Sequence, residues 1–234
     1  VTDFISGSFS RIDAFRQCPK KFYELNVRKP KRVTFQQTDA QRHGERVHKI
    51  LEDAIHGKPV PFGYEKYGHL AKAVLAVPGQ TLTEVNLTVD RNGAPCGSMD
   101  WDRAYIRARV DALKLNGSTA WAGDWKTGKR TFDELQMRIT AGMVFVHYPD
   151  VERTATSYIF TEENSVDEPT IYRRDDLARI WREPLDWMAR IQEASRTNHW
   201  PAQPRKHGPP FCAWCPVLKA GLCDEAKALG VRPK

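Results

Sequence analysis

The sequence predicts an α/β fold, a β-sheet flanked by helices, and three observations carry that expectation. Residues 81–90 and 105–115 alternate apolar and polar side chains, the period-2 signature of half-buried strands. Residues 38–55, 65–77, 132–145 and 175–197 instead repeat apolar positions at helical spacing. A chain of 234 residues with 41% apolar composition closes one core, and two independent domains would be a squeeze.

Taken in order, the chain opens with Ser10 as a candidate N-cap and a stripe of Ile12, Phe15, Phe22 and Leu25 interrupted at Pro19. Lys20, Lys21, Arg28, Lys29, Lys31 and Arg32 then concentrate positive charge around Phe22 and Tyr23. Such a segment tracks a phosphate backbone while a ring stacks on a base, or is a solvated basic face. Thr38-x-x-Gln41 is a capping box that opens the second helix, which stops at Gly57. His48 lies in line with Leu51 and Ile55, turned toward the apolar stripe, which by itself describes a hydrogen-bonded core residue more often than a metal ligand. A helix over 65–77 closes at Pro78-Gly79.

The strand over 81–90 carries Glu84 opposite the Val85, Leu87 and Val89 face, and Asn92-Gly93 is a hairpin turn signal. The next strand puts Ile106, Ala108, Val110 and Ala112 on one face and Arg107, Arg109, Asp111 and Leu113 on the other, before a turn at Asn116-Gly117-Ser118. Asp100 and Asp102 follow Pro95 and Gly97 and read as loop residues, so Asp111 is the preferred acid. A helix over 132–145, a strand over 154–160 and a long helix over 175–197, kinked or interrupted at Pro184, complete the pattern.

The chemistry concentrates in Gly123-Asp124-Trp125-Lys126-Thr127-Gly128-Lys129. Two residues apart on a strand, Asp124 and Lys126 leave the same face, and Gly128 ends the strand. An isolated D-x-K also describes an ordinary surface ion pair. Here a hairpin brings Asp111 beside Asp124, and two carboxylates with a lysine suit a hard divalent cation whose shell is completed by a phosphate.

These residues resemble a known family. Val110-Asp111-Ala112-Leu113 followed by Asp124-Trp125-Lys126-Thr127-Gly128-Lys129 is similar to the core of the PD-(D/E)xK nuclease superfamily, in its RecB-like exonuclease branch. Gly44-Glu45-Arg46-Val47-His48 with Ile50-Leu51 resembles the branch's histidine helix. Ser8-Phe9-Ser10-Arg11-Ile12 through Phe15-Arg16-Gln17-Cys18-Pro19-Lys20-Lys21-Phe22 resembles its opening helix, and Cys212-Ala213-Trp214-Cys215-Pro216 its closing cysteine motif.

The resemblance implies a restriction-endonuclease-like core with a central mixed β-sheet, in a single nuclease domain over 1–234. Its parts are a helical N-terminal section (1–80), a catalytic sheet (81–163) and a C-terminal helix with cysteines (164–234). It implies Mg²⁺ or Mn²⁺ held by Asp111, Asp124, His48 and the Trp125 carbonyl, with Lys126 beside the attacked phosphate. Glu84 matches an acidic position that binds a second metal or positions water, and equally fits an exposed strand residue. Gln136 matches a DNA-contacting glutamine, whose usual aromatic companion four residues on is Thr140 here; Ala108 stands where the family has glycine. Cys18, Cys212, Cys215 and Cys223 match residues that hold a [4Fe–4S] cluster joining the two chain ends, although the interval from Cys215 to Cys223 is longer than the family's. Zn²⁺ at the same cysteines, with or without His207, and unligated thiols are the alternatives. Cys96 has no partner in this scheme.

A formal charge of +7 and a pI near 9.2 point to an anionic partner. No apolar run reaches transmembrane length and no secretory leader pattern is seen, so a cytoplasmic protein, bacterial or phage-encoded, is expected. The function expected is a divalent-metal-dependent DNA exonuclease acting on single-stranded or free ends, in recombination, repair, phage DNA metabolism or CRISPR adaptation, with a helicase, recombinase or adaptation protein as a candidate partner. A phosphate-binding loop of the G-x-x-x-x-G-K-[ST] type is missing, so a motor would be a separate chain. The alternative is a non-catalytic or partner-dependent DNA-binding module with a structural or redox-sensing metal site.

Overall fold

Both expected alternating segments are strands of one sheet in the computed structural model, which describes residues 4–33, 37–205, 207 and 212–234. Within the turn-rich stretch 201–210, residues 206 and 208–210 lie outside the described ones. In chain order, α1 (Phe9–Gln17), α2 (Pro19–Phe22) and a π-helical segment (Tyr23–Arg28) precede α3 (Asp39–Ile55) and α4 (Glu65–Ala76). Strands β1 (Gln80–Val89), β2 (Ile106–Asn116) and β3 (Thr119–Lys126) follow, then α5 (Glu134–His147) and β4 (Arg153–Phe160). Two short strands, β5 (Ser165–Val166) and β6 (Thr170–Arg173), lead to α6 (Leu177–Thr197), and α7 (Pro216–Lys219) and α8 (Asp224–Ala228) close the chain.

The sheet is mixed, in the order β1-β2-β3-β4-β5, with β6 on the same edge of β4. β3 and β4 are parallel and every other pair is antiparallel. A parallel pair needs a long crossover, and α5 supplies it. The described residues divide into two compact units, 37–185 in one, and 4–33 with 186–205, 207 and 212–234 in the other.

In the first unit, α3 and α4 bury Val47, Ile50, Leu51, Tyr67, Leu70 and Val74 against Ala112, Trp125 and Ile159 of the sheet. The helix start is as expected: Thr38 Oγ1 accepts the Gln41 N–H and Gln41 Oε1 accepts the Thr38 N–H, a reciprocal capping box. α5, nearly all of whose middle is buried, lies against β1 to β4. Gly142 lets it approach Trp181 of α6, since a Cβ there would stand 2.7 Å from the indole ring.

In the second unit, the helix start differs from expectation: Ser8, in extended conformation, caps α1 through its hydroxyl, and Ser10 is helical. The extended residue is favoured as a cap because only there does the side-chain oxygen face the free N–H groups. Cys18 ends α1 and starts α2, its sulfur accepting the Lys21 N–H at 3.5 Å. α7, α8 and Cys223, which precedes α8, contribute Val217, Leu218, Ala226 and the Cys223 side chain to a small core of their own. Along α6 the helix continues through Pro184. Asn92-Gly93 does form a turn, with the Gly93 N–H on the Asp90 carbonyl, but the connection from β1 to β2 runs on to residue 105. No helix among the described residues is long and apolar enough to cross a membrane.

Candidate active site

The site begins where two strands part. The β2–β3 ladder ends at Ala112↔Gly123, whereas β3 continues beside β4 as far as Lys126↔Phe160. Beyond the fork the Trp125 N–H has lost its strand partner, and Asp111 Oδ2 accepts it at 2.9 Å. A buried N–H needs such a partner. His48 of α3 closes the same gap: its Nε2 lies 3.2 Å from the Trp125 carbonyl and its Nδ1 3.6 Å from Asp111 Oδ1. Nε2–H donates to the carbonyl, and the protonated ring also presents an Nδ1–H to Asp111.

On β1, Glu84 falls between the pairs Thr83↔Ala112 and Val85↔Val110 and so stands across from Asp111. Its φ of +54° is a left-handed conformation, costing an L-residue about 1 kcal/mol or more, and such strain clusters at functional sites. Ligand atoms of His48, Glu84 and Asp111 all lie within 4.8 Å of one another. Burial raises the Glu84 pKa, the charge of Asp111 adds to it, and Arg109, ion-paired with Glu84, opposes it. For His48, burial works against the charged ring, but the hydrogen bond and charge of Asp111 outweigh it and raise its pKa. A groove of about 590 Å³ above these residues is also lined by Gln41, Gly44 and Glu45. The donor set of two carboxylates and an imidazole fits a divalent cation such as Mg²⁺ or Mn²⁺.

Asp124 and Lys126 point together, as expected, with Lys126 Nζ 2.7 Å from Asp124 Oδ2. Burial pushes the Asp124 carboxyl up to about 6, with Lys126 opposing and Asp111 adding to the rise. Gln136 of α5 joins the pair: its Nε2 donates to Asp124 Oδ1 at 2.5 Å and its Oε1 accepts from Lys126 Nζ at 3.0 Å. Tyr158 of β4, the register partner of Asp124, donates its hydroxyl to the Asp133 carbonyl at 2.9 Å, and the same oxygen lies 3.2 Å from Gln136 Oε1. Its ring lies 5.0 Å from Lys126 Nζ. Burial raises the phenol pKa, so it is a donor at neutral pH.

Sequence reasoning missed Tyr158. The position four residues on from Gln136 is Thr140, and the aromatic ring beside Gln136 is that of Tyr158 on β4, a neighbour that only the β3–β4 register reveals.

The PD-(D/E)XK nuclease superfamily matches residues 6–77 and 62–220. The chain belongs to that superfamily. Among solved structures it is similar to the crystal structure of SSO0001, at 16% identity over 89% of this chain and 83% of that one, with a TM-score of 0.40. It is also similar to a protein from Eubacterium rectale described as a "putative exonuclease", at 10% identity over 86% and 90%, with a TM-score of 0.41. Among curated proteins none matches the sequence.

Of the residues expected to touch DNA, Lys20 is ion-paired with Glu225 at 2.7 Å and Arg28 with Glu24 at 3.1 Å. Lys21 donates to Gln17 Oε1, and Lys29, at φ +47°, is exposed. Cys18, Cys212, Cys215 and Cys223 line one cavity of about 640 Å³ together with Arg16, Lys21 and Trp214. Among the described residues no three cysteine sulfurs come within 4.8 Å of one another. Backbone N–H groups already face two of them: Gln203 toward Cys18 at 3.4 Å and Arg205 toward Cys212 at 3.2 Å. His207 is exposed. Cys96 sits in the loop after β1, near Asp100 and Arg103.

Proposed function

We propose that this member of the superfamily is a divalent-metal-dependent deoxyribonuclease of the RecB-like kind, one nuclease domain over its whole length, acting as an exonuclease on single-stranded ends. The observation that carries the reading is the meeting of His48, Glu84 and Asp111 within 4.8 Å, beside an Asp124–Lys126 pair held by Gln136. His48, Asp111, Asp124, Glu84 and the Trp125 carbonyl would hold the cation. Bound there, Mg²⁺ or Mn²⁺ polarises the scissile phosphate and lowers the pKa of water. Lys126 supplies a fixed positive charge where the phosphoryl oxygens gather negative charge, and Gln136 and Tyr158 keep its ammonium from wandering. Asp111 keeps the fork open by holding the Trp125 N–H.

The test is digestion of end-labelled linear single- and double-stranded DNA with Mg²⁺ or Mn²⁺, by wild type and Lys126→Ala. Metal-dependent cleavage by wild type, reduced at least about 100-fold in the variant with DNA binding retained, is the expected result. An active Lys126→Ala protein would remove the assignment, and equal cutting of circular single strands would remove the exonuclease part of it.

The cysteine-lined cavity supports a second element of the reading, a [4Fe–4S] cluster held by Cys18, Cys212, Cys215 and Cys223. Thiolate ligands with backbone N–H groups directed at sulfur, beside the cationic Arg16, Lys20 and Lys21, suit an anionic cluster whose role is to clasp the chain ends. Iron and acid-labile sulfide measured on anaerobically purified protein, with Cys18→Ser as the control, decide it; zinc without sulfide would favour the zinc alternative.

A further inference from the structure

Between β3 and α5 the chain exposes an aromatic ring on a rigid footing. Phe132 is 63% exposed, yet it meets Tyr158 edge-on with centroids 6.0 Å apart and Phe160 at 5.5 Å. Arg130 lies 4.3 Å from the Phe160 ring centre and 5.9 Å from that of Phe132, and pairs with Glu163 at 3.3 Å. The next residue, Asp133, caps α5 and is tied through its carbonyl to the Tyr158 hydroxyl, so the backbone that presents Phe132 is fixed at two points. A single exposed phenylalanine is common on protein surfaces. This one is buttressed by two rings and a guanidinium, and one of those rings also supports Lys126 Nζ.

We propose that Phe132 and Arg130 form a stacking subsite for an unpaired nucleobase of the strand whose phosphate lies at Lys126. The inference rests on the nuclease reading above and adds the part of the substrate that this surface would take. An unpaired base has a free π-face for the Phe132 ring, and Arg130 adds a cation that suits both base faces and phosphates. In a duplex those faces are covered by neighbouring base pairs, so the subsite would select single-stranded or frayed ends. Stacking tolerates any base, so little sequence preference is expected.

The experiment uses the full chain with Ca²⁺ in place of Mg²⁺ and single-stranded oligonucleotides carrying 2-aminopurine at successive positions, with wild type, Phe132→Ala and Phe132→Trp. Fluorescence change at one position in wild type and Phe132→Trp, lost in Phe132→Ala together with about tenfold in single-strand affinity and none in blunt-duplex affinity, is the expected result. A Phe132→Ala protein that keeps both the signal and the affinity overturns the subsite, as does a wild type that binds no single strand, or an equal loss on duplex. Mg²⁺-dependent cleavage by wild type is read separately. Cleavage with an unaltered Phe132→Ala removes the subsite alone, whereas the expected stacking signal without cleavage removes the nuclease reading and keeps the subsite.

Discussion

Gln136 accepts from Lys126 Nζ at 3.0 Å with its carbonyl oxygen, so its amide nitrogen is the atom left to face Asp124. An ammonium only donates and a carboxylate only accepts, so the orientation of the amide is dictated by its two partners. One neutral side chain thereby holds two opposite charges in a fixed relation. Replacing it with Glu places a second carboxylate against Asp124, and two such groups cannot both ionise freely. Gln136→Glu is expected to lower single-turnover cleavage by about 10- to 100-fold, the range typical of residues that orient a metal site. A variant with wild-type rates would show that the clamp has no bearing on the chemistry.

Glu84 and His48 are expected to bind metal along with Asp111. Titration with Mn²⁺, followed by electron paramagnetic resonance, should show Glu84→Gln and His48→Gln each weakening the ion by about 10-fold or more. Arg109→Gln removes the counter-charge that competes with the ion for Glu84 and should leave affinity equal or higher. Unchanged Mn²⁺ affinity in Glu84→Gln would return Glu84 to the role of a strained strand residue.

Glu162 ties the turn after β4 to α3 and α4, accepting from Lys66 and Tyr67 at 2.7 Å and lying 3.1 Å from His43 Nε2. Its hydrogen bond from Lys66, opposed by burial and helped by Tyr67 and His43, holds its carboxyl down to about 2. A lowered folded-state pKa contributes stability above the unfolded value near 4.5, and that contribution disappears as pH falls through about 2. The side chain is 40% exposed, so solvent screening limits the effect to about 1 kcal/mol. Glu162→Gln should therefore lower Tm by about 2–4 °C at pH 7. The gap should narrow from pH 4.5 downward, and thermal scans across that range check it.

Gly142 tests the packing of α5 on α6. An alanine Cβ would sit 2.7 Å from the indole ring of Trp181, so the ring or the helix must shift. Overpacking of this kind costs about 1–3 kcal/mol, against about 1 kcal/mol gained in helix propensity. The net expectation for Gly142→Ala is a loss of about 1 kcal/mol, seen as a lower denaturation midpoint; a stabilised variant would mean that Trp181 repacks freely.

The sequence by itself determined the elements whose causes are local. Thr38 and Gln41 define a helix start within four residues, the alternation in β1 and β2 needs only the period of a strand, and Asp124 and Lys126 share a face because side chains alternate. The Asp-x-Lys spacing and the motifs around it were enough to point to the superfamily. Tertiary structure alone decided the fork at Gly123, where β3 leaves β2 but stays with β4, because register is a relation between strands distant in sequence. It decided that Tyr158, 34 positions from Asp124, stands beside it. It also brought Glu84 to His48 and Asp111, through a backbone conformation that no residue pattern announces. Those three relations are non-local contacts, and their positions depend on how the whole sheet twists and pairs.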